Sequence, residues 1–403
     1  MTLVPLFARQ AIYNEKSEVV AYELLFRHSD GNYAEFIDGD KASSQVILNS
    51  FGGHELEELI GGKKAFVNFT RNLILNPPPI SPKHLVIEIL EDIKADQELI
   101  QGLERLKAKG YTIALDDFFI TRDTKKMMSY ASIIKVDVLA LTNTQLVKYV
   151  SKLKPLKFTL LAEKVETHEM YQHCVDLGFD FFQGYYLCKP QIIKGRKVSE
   201  SKQNTLKLIS ILNDQDAEFE TVVDTIATDP GLSYKILRLV NSSAMGMPVE
   251  ISSLSQAVSM LGLSAIKNWA NFLLMANCGE KPPELSIISM CRAKFCSELG
   301  AKLGDKALAD SCYTVGLLSN LDAFLDMPMS DLLTKLNLSK ELSSALSNFA
   351  GQAGLAFDVV NKYERGQWDA IPWDDLSTHG IDAQTCNTLY ADAITWATEM
   401  SYS

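Results

Sequence analysis

Short apolar runs and amphipathic stretches alternate along the first half of the chain. The runs are VVAYELLF (19–26), KAFVNF (64–69), HLVIEIL (84–90), YTIALDD (111–117), SIIKVD (132–137), FTLLAEKV (158–165) and FDFFQGYYL (179–187). Each is rich in β-branched or aromatic residues, gives way to polar ones and leads into a stretch of helical spacing. That order predicts β/α units and a parallel sheet, and seven such runs in under 200 residues predict a compact barrel. In DQELIQGLERLKAKG, Leu99, Leu103 and Leu106 keep helical spacing and Gly110 supplies a stop.

The pattern changes after Lys189-Pro190, where IIKGRKVSESKQN is polar and basic, as expected of a connection between domains. From about residue 203 the chain reads as successive helices. Asp229-Pro230 opens one, Asn241-Ser242-Ser243 closes it, and Gly262 ends the Ala257–Leu261 stretch. The expected fold class is therefore α/β plus all-α, with a barrel over 1–195 and a helical domain over 200–403. At 403 residues, two cores are also what chain length favours.

Composition narrows the function classes. A net charge of −11 argues against direct nucleic-acid binding. No apolar stretch reaches about 18 residues and the N-terminus lacks a secretory pattern, so a cytoplasmic protein without a membrane span is expected. The seven cysteines are scattered and include no CxxC pair, which favours free thiols over disulfides or a zinc site.

Candidate chemistry lies at the C-terminal ends of the predicted strands, the rim where β/α barrels carry their reactive groups. Glu23, Asn68, Glu88, Asp116, Asp117, Lys135, Glu163 and Gln183 would converge there. Carboxylates with an amide oxygen make a hard-oxygen cage suited to Mg²⁺ or Mn²⁺. Two such ions sharing a bridging aspartate, a place that suits Asp116-Asp117, would serve in-line attack on a phosphodiester, and a buried lysine would orient the water or offset phosphate charge. Taken singly, an acidic residue at a strand end is most often a cap or a solvated loop residue, and only the set carries the reading. Phe26, Phe181, Phe182, Tyr185 and Tyr186 are expected to serve packing.

These strings resemble the EAL family of cyclic-di-GMP phosphodiesterases, in its subgroup with a C-terminal HDOD domain. YELLFR, VNFT, VIEILE, LDDF, IIKVD, AEKVET and QGYYLCKP stand in the family's order and spacing along about 190 residues. The resemblance implies a modified TIM barrel of EAL type and two ions of Mg²⁺ or Mn²⁺. Glu23, Asn68, Glu88 and Asp116 would hold one ion, and Asp116, Asp117 and Glu163 the other. Glu163 and Lys135 would position the attacking water and Gln183 would complete the shell. Arg27 and Gln10 would hold the dinucleotide, with Glu91 and Glu166 in support. A homodimer through the barrel is possible in the family. Two departures stand out: DDFFITRD replaces a glycine-rich loop after the double aspartate, and Lys164 replaces a glycine after Glu163. Hydrolysis to pGpG is the favoured expectation, and a cyclic-di-GMP receptor signalling through protein contacts is the alternative.

From about 203 to 280, TIATDPGLSYKILRLVNSSAMGMPVEISSLSQAVSMLGLSAIKNW resembles an HDOD domain, a helical relative of metal-dependent HD-GYP hydrolases. Of six histidines only His379 lies beyond residue 200, and GLLSNLD places Ser319-Asn320 where the hydrolases carry His-Asp. An interaction or output module with an unknown protein partner is therefore expected, without a catalytic centre. The tryptophans Trp269, Trp368, Trp373 and Trp396 are expected to pack.

Overall fold

The computed structural model describes residues 6–27, 60–78, 81–90, 93–116, 124–189, 200–214, 216–241, 251–277 and 281–402. The chain divides into two compact units, Met1–Tyr186 with Tyr363–Ala370, and Leu187–Lys362 with Ile371–Ser403. No helix among the described residues is long and apolar enough to cross a membrane.

In the first unit eight strands close a barrel in the order of the sequence. They are β1 (Leu6–Asn14), β2 (Val19–Arg27), β3 (Lys64–Phe69), β4 (Leu85–Ile89), β5 (Thr112–Leu115), β6 (Ile133–Asp137), β7 (Thr159–Glu163) and β8 (Phe181–Gln183). The sequence pattern predicts seven strands and a parallel sheet, and both expectations need correction. LFARQAIYN forms β1, which pairs antiparallel with β2 and β8, while β2 through β8 run parallel. Arg9 and Gln10 interrupt the apolar alternation of β1, which hides it from periodicity. A tight turn joins β1 to β2, with the Ser17 amide bonded to the Asn14 carbonyl and Ser17 itself in the left-handed region.

The last run is also shorter than its composition suggests. FDFFQGYYL contributes three strand residues, and after Gly184 a 3₁₀ turn spans Tyr185–Cys188. Gly184 has φ +150°, and a Cβ there would meet the Val165 carbonyl oxygen at 2.1 Å, so only glycine lets the two segments approach.

Four helices between the parallel strands start at side-chain caps. Thr70, Asp96, Thr142 and Thr167 accept from the amides of Leu73, Leu99, Gln145 and Met170. The Gln97–Ala108 helix buries Leu99, Leu103 and Leu106 as its spacing predicts, and Gly110 follows it at φ +87°. Phe182 and Tyr186 are fully buried, and Tyr186 stacks on Tyr171 with ring centroids 4.5 Å apart, so these two aromatics pack as expected.

The described part of the second unit is helical. Asp229 caps the Pro230–Val240 helix through the Leu232 amide, and Asn241 ends it while bonding both polar backbone atoms of Ile251 at 2.8 Å. Gly262, at φ +89°, separates the helices Leu254–Leu261 and Leu263–Ala276. The 21-residue helix Pro283–Leu303 buries residues on all sides, as a central helix does. Ser319-Asn320 follows the Lys306–Leu318 helix, and Arg292 donates to both side chains at 2.9 and 3.0 Å. Six cysteines among the described residues are free thiols, five of them buried. Trp269 is buried and lies 5.7 Å from Trp396, and Trp368, in the segment that belongs to the first unit, is buried as well.

Candidate active site

The site follows from the two-residue period of a strand. Ile12, Ala21, Phe66, Val86, Ala114, Ile133 and Leu161, one from each of β1 to β7, form a single buried cluster, and Phe181 of β8 packs against it. Alternate residues of a strand share a face, so the next position toward the barrel mouth lies two residues on. Those positions are Glu23, Asn68, Glu88, Asp116, Lys135, Glu163 and Gln183. On the antiparallel β1 the count runs backward and gives Gln10. One layer of apolar side chains thus carries one layer of polar ones above it.

Lys135 is the centre of that layer. Its ammonium is fully buried and lies 2.6 Å from Glu88 Oε1, 2.9 Å from Asp116 Oδ1, 2.9 Å from Glu163 Oε1 and 3.5 Å from Glu23 Oε1. These contacts are ion pairs by distance, without the alignment of good hydrogen bonds. Across the mouth, Gln183 Nε2 donates to Gln10 Oε1 at 2.9 Å and to Glu23 Oε2. Gln10, which neither a predicted strand nor a charge marks, therefore belongs to the cluster.

Burial lowers the tendency of Lys135 to stay protonated, but the four surrounding carboxylates outweigh it and hold the ammonium charged. For the acids, burial dominates. It pushes Glu88 well above the carboxylate range, helped by Glu23 and opposed by Lys135, and it pushes Glu163 up to about 8 against the pull of Lys135. Four carboxylates against one ammonium leave the layer short of positive charge.

The donor set fits a hard cation. Asn68 Oδ1, Glu88 Oε2, Glu163 Oε2 and Gln183 Oε1 are buried with neither a hydrogen-bond partner nor one of these Lys135 ion-pair contacts among the described residues, an expensive condition unless a ligand supplies the missing contacts. All four are oxygen atoms, the preference of Mg²⁺ and Mn²⁺. Among the described residues no three acidic, histidine or cysteine side chains already stand in metal-holding geometry, since the carboxylates are spread around the Lys135 ammonium.

The remaining predicted site residues are placed less centrally. Arg27 ends β2 in register with Leu6, and Glu166 is exposed on the segment after β7. Asp117, Glu91 and the altered part of the DDFFITRD loop lie outside the described residues. Lys164, directly after Glu163, has φ +57° and pairs with Asp137.

The EAL domain family matches residues 57–190 and the HDOD domain family residues 200–343. The protein YuxH of Bacillus subtilis is 34% identical over 96% of this chain and 97% of its own length. The cyclic di-GMP phosphodiesterase CdgJ of Vibrio cholerae is 30% identical over 98% of this chain and 92% of its own. Among solved structures, the calcium and cyclic-di-GMP complex of Klebsiella pneumoniae BlrP1 is 22% identical, with a TM-score of 0.39, over 45% of this chain and 54% of that one. With an EAL match followed by an HDOD match, and relatives aligned along nearly their whole length, the protein belongs to the family of EAL-HDOD proteins.

Proposed function

We propose that the protein is a bacterial cyclic-di-GMP phosphodiesterase that opens the cyclic dinucleotide to linear pGpG. The observation that carries this reading is the convergence of Glu23, Glu88, Asp116 and Glu163 on the buried Lys135, with unpartnered oxygens of Asn68 and Gln183 in the same layer. The relative CdgJ, named for this activity and aligned along 98% of the chain, supports it.

Glu23, Asn68, Glu88 and Asp116 would hold one divalent ion, and Asp116, Asp117 and Glu163 a second. Bound there, Mg²⁺ or Mn²⁺ supplies Lewis-acid polarisation of the phosphodiester and eases deprotonation of the attacking water. The protein's own groups do the rest. Glu163 takes a proton from the water and aims the water at phosphorus, Lys135 offsets negative charge as the water–phosphorus bond forms, and the 3′-oxygen takes a proton from solvent as its bond to phosphorus breaks. Gln183 fixes Glu23 and Gln10 through one amide group. Arg27 and Gln10 hold the dinucleotide, an arginine fork being well matched to phosphate oxygens. Glu91 and Glu166 support the metal ligands.

In this reading the barrel domain occupies 1–195 and the HDOD domain 200–403, the latter passing the signal to a protein partner. The protein works in the cytoplasm, with a homodimer formed through the barrel.

The direct test is incubation of purified full-length protein with cyclic-di-GMP and Mn²⁺ or Mg²⁺, followed by chromatographic resolution of the nucleotides. Metal-dependent appearance of pGpG supports hydrolysis. Tight binding without turnover would instead support a receptor, and neither binding nor turnover would overturn the proposal.

A further inference from the structure

The chain leaves β7 in an unusual way. Glu163 is the last strand residue, and Lys164 then adopts φ +57°, a left-handed conformation that strains any side chain with a Cβ. That single turn lets the buried Val165 bond back to β8, its amide donating to the Gln183 carbonyl at 2.9 Å. Glycine would take this position without strain.

The lysine side chain explains what offsets the strain. Its ammonium pairs with Asp137 Oδ2 at the end of β6. Asp137 is itself anchored, since its Oδ1 accepts from the amides of Leu139 at 2.8 Å and Ala140 at 3.1 Å. A backbone bond runs in parallel, the Val138 amide donating to the Glu163 carbonyl at 3.2 Å. Lys164 adjoins Glu163, and Asp137 lies two residues beyond Lys135 on the same strand, so the pair ties together the two strand ends that carry these groups.

We infer that Lys164 is a positioning residue, whose ion pair with Asp137 latches the ends of β6 and β7 and so fixes Glu163 against Lys135. The latch stands on geometry alone, whereas its effect on turnover rests on the phosphodiesterase reading. Glu163 and Lys135 must hold their 2.9 Å relationship while neighbouring carboxylates repel, and a rim free to splay would lose it first.

The test uses the full-length protein in four forms besides the parent: Lys164→Gly, Lys164→Arg, Asp137→Asn and the double variant Lys164→Gly/Asp137→Asn. Glycine removes the cation and the strain together, and asparagine retains the oxygen that caps Leu139 and Ala140. Amide exchange at Val138 is expected to quicken in each single variant, to quicken no further in the double one, and to return toward the parental rate with arginine. Mn²⁺ affinity by calorimetry and kcat on cyclic-di-GMP should fall by roughly 10-fold in the glycine variant, the size expected for a group one step removed from the ligands, with KM unchanged and arginine restoring both. Parental Val138 exchange in Lys164→Gly, or effects that add in the double variant, would overturn the latch. Should the parent show no turnover, the phosphodiesterase reading falls, and exchange and Mn²⁺ affinity still decide the latch.

Discussion

Lys135 Nζ lies 2.6 Å from Glu88 Oε1, with both side chains fully buried inside the barrel mouth. Neither group reaches water, and Glu88 is the nearest to the ammonium of the four carboxyl groups around it. Removing one partner of such a pair leaves an uncompensated buried charge, at a cost of about 3–5 kcal/mol. Lys135→Met is therefore expected to lower the stability of metal-free protein by about that amount in urea denaturation with chelator present. Added Mn²⁺ should restore part of the loss, because a cation bound only by the folded state takes over the charge that Lys135 supplied. An unchanged midpoint would show that the carboxylates have already shed their charge.

Glu23 has the opposite balance. It raises the proton affinity of Glu88 by repulsion, and its own lysine contact is the longest of the four. Glu23→Gln keeps the shape and removes the repulsion, so metal-free stability should stay equal or rise. Turnover should fall by about 100-fold or more, since loss of a metal ligand costs at least as much as loss of the groups that support the ligands, about 10- to 100-fold. Parental turnover in the folded variant would take Glu23 out of the site.

How far the sequence carried this site depends on the strand period. Once the strands are placed, the step of two from Phe66, Val86, Ile133 or Leu161 leads directly to Asn68, Glu88, Lys135 or Glu163, and the apolar runs themselves place them. Gln10 was legible only through family resemblance, because its strand has no clean alternation and runs antiparallel, against the β/α rhythm. The left-handed turn at Lys164 was not legible as conformation, since lysine carries no preference for it, and only the replaced glycine marked the position. In the helical unit the end signals worked where chemistry is local: Asp229 caps, Pro230 starts and Gly262 stops as their side chains dictate.

Arg27 ends β2 four residues beyond Glu23, and its proposed task is to hold a phosphate of the dinucleotide. Charge-assisted hydrogen bonds contribute about 1.5–3 kcal/mol, so Arg27→Ala should weaken cyclic-di-GMP binding by roughly 10- to 100-fold in calorimetry with Ca²⁺ in place of the catalytic ion. The melting temperature should move little. Equal affinities for variant and parent would remove the assignment.

Gly316 sits where the Lys306–Leu318 helix crosses Pro283–Leu303, and a Cβ there would meet the Ala293 Cα and the Arg292 carbonyl oxygen at 2.7 Å. Alanine usually improves a helix by about 1 kcal/mol over glycine. Here both colliding atoms are backbone and cannot rotate away, so overpacking at about 1–3 kcal/mol wins. Gly316→Ala should lower stability in urea denaturation, whereas a gain would mean that the two helices separate freely.

Asp322 gives the helical unit a dependence on pH of calculable sign. It lies in the first turn of the Leu321–Leu325 helix, where burial pushes its carboxyl up to about 6, against the Ala323 amide it accepts from and the charges of Lys189 and Arg292. The unfolded chain releases this proton near pH 4. Between about 4 and 6 the folded state therefore holds a proton that the unfolded state has lost, and stability falls as pH rises through that window. Two pH units correspond to nearly 3 kcal/mol, and partial access of water to the carboxyl reduces this to about 2 kcal/mol. Asp322→Asn keeps the acceptor for the Ala323 amide and has nothing to titrate. Urea denaturation of parent and variant at pH 4, 5, 6 and 7 should give equal stabilities at pH 4 and a variant more stable by about 2 kcal/mol at pH 7. The other titrating groups are common to both proteins and cancel in the difference. A difference that stays constant across the series would mean that Asp322 is ionised throughout, held so by Arg292 more strongly than burial opposes it.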